Sequence, residues 1–355
     1  MTNYLLAGGG TAGHVNPLLA LADAIMADSS ANQVYALGTA EGLEARLVPA
    51  KGFELLTVAR LPFPRKLNAA AVKFPFAFYR AVTEVEKYID NYKIDAVVGF
   101  GGYASAPAYV AARNKKIPYV VHEANALAGW ANKFGAKKAA AVATVFSATK
   151  LPNAKLIGMP LRADIAGLAE RKAPAEARRH FGLDEATVTL LVTGGSLGAK
   201  RINETIEASR NILSAAGIQV LHLVGQKAGL PDLHEKDYVR LAYCDDMAKA
   251  IEAATFAVAR AGSSTVSEFA AVGLPAVYVP YPVGNGEQKL NAAELVAAGG
   301  GLLVADENFT PSYVANELIP MISNSAQVKT MATAAAKHGI ADATTRLLKL
   351  VKGVL

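Results

Sequence analysis

Residues 4–19 read YLLAGGGTAGHVNPLL. An apolar run ends at Ala7, four glycines follow within six positions, and His14 heads a stretch of helical period. That is the spacing of a buried strand, a turn and a helix. A turn that only reverses the chain needs one or two glycines, so this one is expected to bring another group close to the backbone. A second opening of the same kind stands at 188–204, VTLLVTGGSLGAKRINE. The two openings predict an α/β protein of two Rossmann-like, doubly wound domains, with a ligand cleft between their strand C-terminal ends.

The rest of the chain keeps the rhythm. Candidate strands at Tyr4–Ala7, Gln33–Leu37, Leu55–Val58, Ala96–Phe100, Tyr119–Val121 and Ala141–Val145 alternate with helical stretches at 15–27, 41–50, 68–91, 103–114 and 129–137. Strands at Thr187–Thr193, Val220–Val224, Phe256–Ala259 and Ala276–Val279 alternate with helices near 200–215, 245–254, 263–272 and 286–299. Prolines and the charged run AERKAPAEARRHFG (169–182) mark a break between the halves. The division expected is a first domain at 1–160, a linker region at 161–186, a second domain at 187–340, and a last helix in 341–355 crossing back to the first. A chain of 355 residues is too long for one core.

Composition narrows the classes. Hydrophobic residues make up 52% and charged residues 19%, as in a well-buried globular protein. The net charge of +6 suits an anionic partner but is too diffuse to indicate nucleic acid, and none is expected. Cys244 is the only cysteine, which excludes intramolecular disulfides and metal sites built on paired cysteines. The charge-free stretch Phe269–Gly286 is broken by Gly273, Pro275, Pro280 and Pro282 into blocks too short to span a bilayer. The N-terminus lacks a signal-peptide pattern, so a soluble or peripheral protein is expected.

Gly8, Gly10 and Gly13 match the dinucleotide fingerprint, yet VYALGTAE at 34–41 offers Gly38 and Thr39 where an acid should hold the ribose. What is left is a turn of exposed amides at a helix N-terminus, suited to a phosphate or a bulky polar substrate. His14, at the positive end of that helix, reads as readily as a neutral ring able to accept a proton as it does as a capping histidine. Gly194–Gly198 fits the G-x-S-x-G nucleophile elbow around Ser196. His222 then falls inside a strand, and His234 and His338 stand in charged settings, so Ser196 reads better as a phosphate contact.

The segment 260–291 is the most specific. Ser263, Ser264 and Thr265 open a helix and suit a diphosphate, Glu268 a ribose diol, and Gln288 and Asn291 sugar hydroxyls. Singly, each also reads as a cap or a solvated side chain. No D-x-D occurs, and Asp245–Asp246 reads as a helix N-cap, so no metal is expected. From Leu55 to Thr83 there is no acidic residue. Leu61, Phe63, Lys66, Lys73, Phe74, Phe78 and Arg80 in that span form a candidate patch for an anionic membrane surface.

In order and spacing, GGGTAGHVNPLLALA, GGYASAP, HEANALAG, GMPLR, GGSLGAKRIN, RAGSSTVSEFAAVGLPAVYVPYP and EQKLNA resemble the MurG family, UDP-N-acetylglucosamine:lipid I N-acetylglucosaminyltransferases of peptidoglycan synthesis. The resemblance runs along essentially the whole chain. It implies a GT-B fold with a cleft between its domains, a UDP-N-acetylglucosamine donor held by the second domain, and undecaprenyl-linked lipid I meeting the first. It also implies inversion at the sugar, no metal or other cofactor, and a peripheral place on the cytoplasmic side of the cell membrane.

Carried over position by position, donor contacts fall on Thr11, Ala12, Gly13, Asn125, Arg162, Ser196, Cys244, Ser263, Ser264, Thr265, Val266, Ser267, Glu268 and Gln288. His14 matches the family's candidate base, and the four glycines beside it are expected to clear room for the acceptor and its diphosphate. Ala124, Leu197 and Cys244 depart from the residues usual at their positions. Two other readings stand beside this one: transfer to another lipid such as diacylglycerol, and a non-catalytic nucleotide-sugar binder at the membrane.

Overall fold

The run ahead of the first glycine turn forms strand β1 (Asn3–Ala7), an interior strand of a seven-stranded sheet. Its partners are β2 (Gln33–Gly38), β3 (Glu54–Thr57), β4 (Ala96–Gly99), β5 (Tyr119–Glu123), β6 (Ala141–Thr144) and β7 (Ala154–Leu156). The order is β3-β2-β1-β4-β5-β6-β7, and every pair is parallel. Leu5 packs with Val85 and Tyr109 on one face, while Leu6 packs with Leu21 and Leu347 on the other. Burial on both faces explains why β1 reads as continuously apolar.

The computed structural model describes residues 1–61, 69–170, 173–195 and 198–355, in two units. The first comprises Met1–Arg162 together with Asp342–Leu355. The last helix, Ala343–Lys352, packs on helix Ala12–Asp28 through Leu347 and Val351, both fully buried. Burying two such side chains contributes about 1.5–3 kcal/mol each. Thr344 Oγ1 donates to the Leu161 carbonyl at 2.9 Å, and Lys352 Nζ donates to Asp28 at 2.9 Å.

The second unit, Ala163–Ala341, holds the second sheet. Its strands are β8 (Val188–Thr193), β9 (Ile218–Leu223), β10 (Leu233–Glu235), β11 (Tyr238–Leu241), β12 (Phe256–Ala259), β13 (Ala276–Tyr278) and β14 (Gly301–Leu303). They run in the order β10-β11-β9-β8-β12-β13-β14, parallel except for β10 against β11. Described residues 163–170 and 173–186 belong to this unit, which corrects their reading as linker. Helix Pro174–His180 packs on helix Met247–Ala253. Arg178 fixes it there, donating to the Ala253 carbonyl at 2.9 Å and to Thr255 Oγ1 at 3.0 Å.

Candidate active site

In the first unit the chain order reverses between neighbours β1 and β4, so the turns after them meet at the topological switch point. Phe100 N–H donates to the Ala7 carbonyl at 2.8 Å. The buried Ser105 hydroxyl accepts from Gly101 N–H at 3.0 Å and lies 2.9 Å from the Ala7 carbonyl, tying the two turns together. Gly102 has φ +80°, and a Cβ there would stand 2.7 Å from the Gly9 carbonyl oxygen. Only glycine allows this approach.

Gly9 itself makes room for Glu44, not for a ligand, which corrects the expectation that all four glycines clear space for the acceptor. A Cβ at Gly9 would fall 2.3 Å from Glu44 Oε1, and one at Gly38 2.5 Å from Glu44 Cγ. Glu44 is buried and accepts from Gly10 N–H at 2.8 Å, Thr39 N–H at 2.9 Å and Thr39 Oγ1 at 2.8 Å. Burial alone would push its pKa up. Donation from Gly10, from its own amide and from Thr39 outweighs burial and leaves the pKa lowered.

His14 lies in the first turn of helix Ala12–Asp28, half-exposed. Its Nδ1 is 3.0 Å from the Gly9 carbonyl and 3.4 Å from Thr11 Oγ1. A carbonyl only accepts, so Nδ1 carries the proton, and in the neutral ring Nε2 is the basic nitrogen. Nε2 faces the second turn, 3.1 Å from where a Cβ on Gly101 would lie. Thr11 is the N-cap residue, Ala12 is the first helical residue, and Gly13 follows.

Behind these turns, His122 is buried with Nε2 3.3 Å from the Gly158 carbonyl. Burial pushes its pKa down to about 4 despite that carbonyl, and the charge of His14 adds to the shift. It is therefore neutral near pH 7. Glu123 accepts from Asn125 N–H and Gly129 N–H at 2.9 Å and from Asn132 Nδ2 at 3.0 Å, which fixes the loop carrying Asn125. Tyr109 donates to Asn132 Oδ1 at 2.7 Å.

In the second unit, β12 runs into helix Ser263–Ala271. Ser263 is buried in its first turn, and Ser264 Oγ is buried with no hydrogen-bond partner among the described residues. Thr265, Ser267 and Glu268 are half-buried, and Val266 faces the core. Just before the helix, Arg260 is held by Asp306 at 2.5 Å and by the Val279 and Pro280 carbonyls at 3.0 and 3.1 Å. Gln288 Oε1 accepts from Tyr281 N–H at 2.9 Å. Asn291 is buried, and its amide donates to the Ala261 carbonyl at 3.3 Å, bracing the helix start.

Cys244 is half-buried, and the nearby Asp246 caps helix Met247–Ala253 by accepting from Lys249 N–H at 3.0 Å. His222 is buried between the Tyr238 hydroxyl at 2.7 Å and Asn203 Oδ1 at 3.1 Å, which removes it from any hydrolase triad. Arg162 closes the first unit beside Leu161. Ser196 and Leu197 lie outside the described residues.

The described residues thus bring Thr11–His14 and Asn125 to the strand ends of the first sheet, and Ser263–Glu268 and Gln288 to those of the second. Sequence reading missed Glu44, Ser105, Tyr109 and Asn132, and Glu123 lay unremarked inside HEANALAG. The glycines flanking Glu44 in GTAEGLEARL were the available signal. Among the described residues no three His, Cys, Asp or Glu side chains group as metal ligands.

On helix Ala69–Asn91 the aromatic patch differs from expectation. Phe78 packs on the core and Phe74 stacks on it with ring centroids 5.8 Å apart. Leu61 also packs on the core. The outward row is Val72, Phe76 and Tyr79, exposed by 81%, 70% and 68%, flanked by exposed Lys73 and Arg80. Pairs four and three residues apart share a helix face, whereas Phe74 and Phe78 share the opposite one. Phe63 and Lys66 lie outside the described residues. Among the described residues no helix is long and apolar enough to cross a membrane.

The glycosyltransferase family 28 N-terminal domain matches residues 4–144, and the family 28 C-terminal domain matches residues 189–347. A Leifsonia xyli subsp. xyli protein named UDP-N-acetylglucosamine--N-acetylmuramyl-(pentapeptide) pyrophosphoryl-undecaprenol N-acetylglucosamine transferase is 54% identical over 352 residues, covering 99% of this chain and 98% of its own. A protein of the same name from Clavibacter sepedonicus is 52% identical over 353 residues, covering 99% and 96%. The crystal structure of Acinetobacter baumannii MurG matches with a TM-score of 0.79 at 29% identity, over 99% of this chain and 100% of that one.

Proposed function

The chain belongs to the MurG family of family 28 glycosyltransferases, with the GT-B fold, and on that premise we propose how its residues carry the family's reaction. It transfers N-acetylglucosamine from UDP-N-acetylglucosamine to the C4 hydroxyl of the muramoyl sugar of lipid I, giving lipid II. Identity of 54% over nearly the full length does not favour the diacylglycerol and non-catalytic readings.

His14 Nε2 takes the proton of the C4 hydroxyl as its oxygen attacks C1 of the donor sugar. The C1–O bond to the diphosphate breaks, inverting C1, and UDP leaves. Amides at the head of helix Ser263–Ala271, with the hydroxyls of Ser263, Ser264 and Thr265, stabilise the charge that develops on UDP without a metal. Ser264 Oγ, buried and without a hydrogen-bond partner among the described residues, would donate to a phosphate oxygen. Glu268 holds the ribose and Gln288 the sugar, while Asn125, on its fixed loop, faces the reacting sugars.

Val72, Phe76 and Tyr79, with Lys73 and Arg80, seat the protein on the anionic cytoplasmic face of the cell membrane, where its acceptor lies. The single observation that carries the mechanism is the contact of His14 Nδ1 with the Gly9 carbonyl, which supports Nε2 as the base. Purified protein given UDP-N-acetylglucosamine and a short-chain lipid I analogue in excess EDTA is expected to release UDP only when acceptor is present. Release abolished by EDTA would overturn the metal-free account of the leaving group. No acceptor-dependent release under any metal condition would overturn the reaction.

A further inference from the structure

Glu44 and His14 hold one peptide group from its two ends. Gly10 N–H donates to Glu44 Oε2 at 2.8 Å, and the carbonyl of that same peptide, on Gly9, accepts from His14 Nδ1 at 3.0 Å. The peptide is trans, so its N–H and C=O point in opposite directions and lie in one plane. We propose that Glu44, acting through the Gly9–Gly10 peptide, is the positioning residue of His14: it fixes the imidazole tautomer and orientation that leave Nε2 free to take the acceptor proton. It does at one remove what a carboxylate bonded directly to a catalytic histidine does. The inference rests on the reading of His14 as the base.

Three observations support the relay. A buried carboxylate is costly to keep, and simple capping of a turn does not require one. This one is 1% exposed, and it accepts from N–H and O–H groups of Gly10 and Thr39, with no ion pair to it among the described residues. Next, the fold gives up side chains to house it: a Cβ at Gly9, Gly38 or Gly42 would lie 2.3, 2.5 or 2.1 Å from its atoms. Finally, Gly102 leaves the Gly9 carbonyl open, since a Cβ there would reach within 2.7 Å of that oxygen. Negative charge at the N–H end of a peptide draws electron density toward its carbonyl oxygen. That strengthens the bond from Nδ1–H and stabilises the imidazolium formed when Nε2 takes the acceptor proton.

The other ionisable groups nearby are few. His122 on β5 interacts with His14 but stays neutral, and Glu123 reaches the second turn only through Asn132. Arg60, over the Tyr103 ring at 5.2 Å, feels Glu41 and Glu44 from an exposed position.

Glu44→Gln keeps the shape and removes the charge. It is expected to lower kcat about tenfold, leave KM for UDP-N-acetylglucosamine within about twofold, and move the acidic limb of kcat/KM down by about half a pH unit. Nitrogen-15 NMR of the wild-type protein is expected to show His14 protonated on Nδ1. The opposite tautomer overturns the proposal even if the variant fails to fold, as does a folded Glu44→Gln with unaltered kcat and pH profile. His14→Ala separates the two layers. Full turnover there removes His14 from the chemistry and the relay with it. An inactive His14→Ala beside an unaltered Glu44→Gln leaves the base standing and removes only Glu44.

Discussion

Asn132 Nδ2 donates to Glu123 Oε2 at 3.0 Å, and Asn132 Oδ1 accepts from the Tyr109 hydroxyl at 2.7 Å. The same Nδ2 lies 3.1 Å from the His122 carbonyl, so one buried amide on helix Trp130–Gly135 joins β5 and helix Ser105–Asn114. Removing it leaves a buried carboxylate and a buried phenol each short of a partner. Asn132→Ala is therefore expected to cost about 3 kcal/mol in urea unfolding. It should also lower turnover, because Glu123, which holds the loop of Asn125, would lose one of its partners.

Gly102 and Gly10 separate two costs. Both have positive φ, +80° and +86°, but only at Gly102 does an added Cβ meet a neighbour within 4 Å. Gly10→Ala is expected to lose about 1 kcal/mol from its left-handed backbone alone. Gly102→Ala should lose roughly 1–3 kcal/mol and at least tenfold in kcat, because the added carbon forces the two turns apart. Equal effects at both positions would show that the close approach at Gly9 has no part in turnover.

His122 and His222 are both buried, with pKa values pushed down to about 4 by loss of solvation. A histidine with a depressed folded pKa binds its proton more readily when unfolded. Its penalty is absent above the ordinary value of 6.5 and grows as pH falls from there to about 4. At pH 5 the loss is about 2 kcal/mol for each histidine. Glu44 and Glu207, whose pKa values are lowered, add their own losses only below the ordinary carboxylate range. Urea unfolding from pH 7.5 to 5 should show this decline, and His222→Gln should remove about half of it.

Phe76 and Tyr79 point outward, whereas Phe78 packs on the core. Phe76→Ser with Tyr79→Ser is expected to weaken binding to anionic phospholipid vesicles at least about tenfold, since each aromatic contributes roughly 1.5–3 kcal/mol when buried. Turnover of a water-soluble acceptor should be unaffected. Lys73→Gln with Arg80→Gln should instead flatten the salt dependence of vesicle binding, at about 1 kcal/mol per charge. Phe78→Ser should lower Tm, the mark of a core residue.

The alternation of strand and helix, the first glycine turn and the returning last helix were legible because each rests on a local pattern, either a long apolar run or a helical period. Strands β7, β10 and β14 were not, being three residues long at or near a sheet edge and too short to show a period. Residues 163–186 looked like a linker because they are charged and proline-broken. Arg178 uses its charge to bond a carbonyl and a hydroxyl some 75 residues on, which no local pattern reveals. Phe74 and Phe78 were chosen over Phe76 and Tyr79 because composition locates a basic, aromatic helix but not which face packs inward. Glu44 was missed because a polar residue near a turn can serve a ligand or the turn itself, and only burial and bonding partners decide.

The reaction itself is tested most directly by the glycosidic bond it makes. Purified protein incubated with UDP-N-acetylglucosamine and a short-chain lipid I analogue should give a product whose proton NMR spectrum shows one β-linked N-acetylglucosamine on C4 of the muramoyl sugar. An α-linked product would contradict direct attack assisted by His14, and free N-acetylglucosamine with the acceptor unchanged would contradict the transfer altogether.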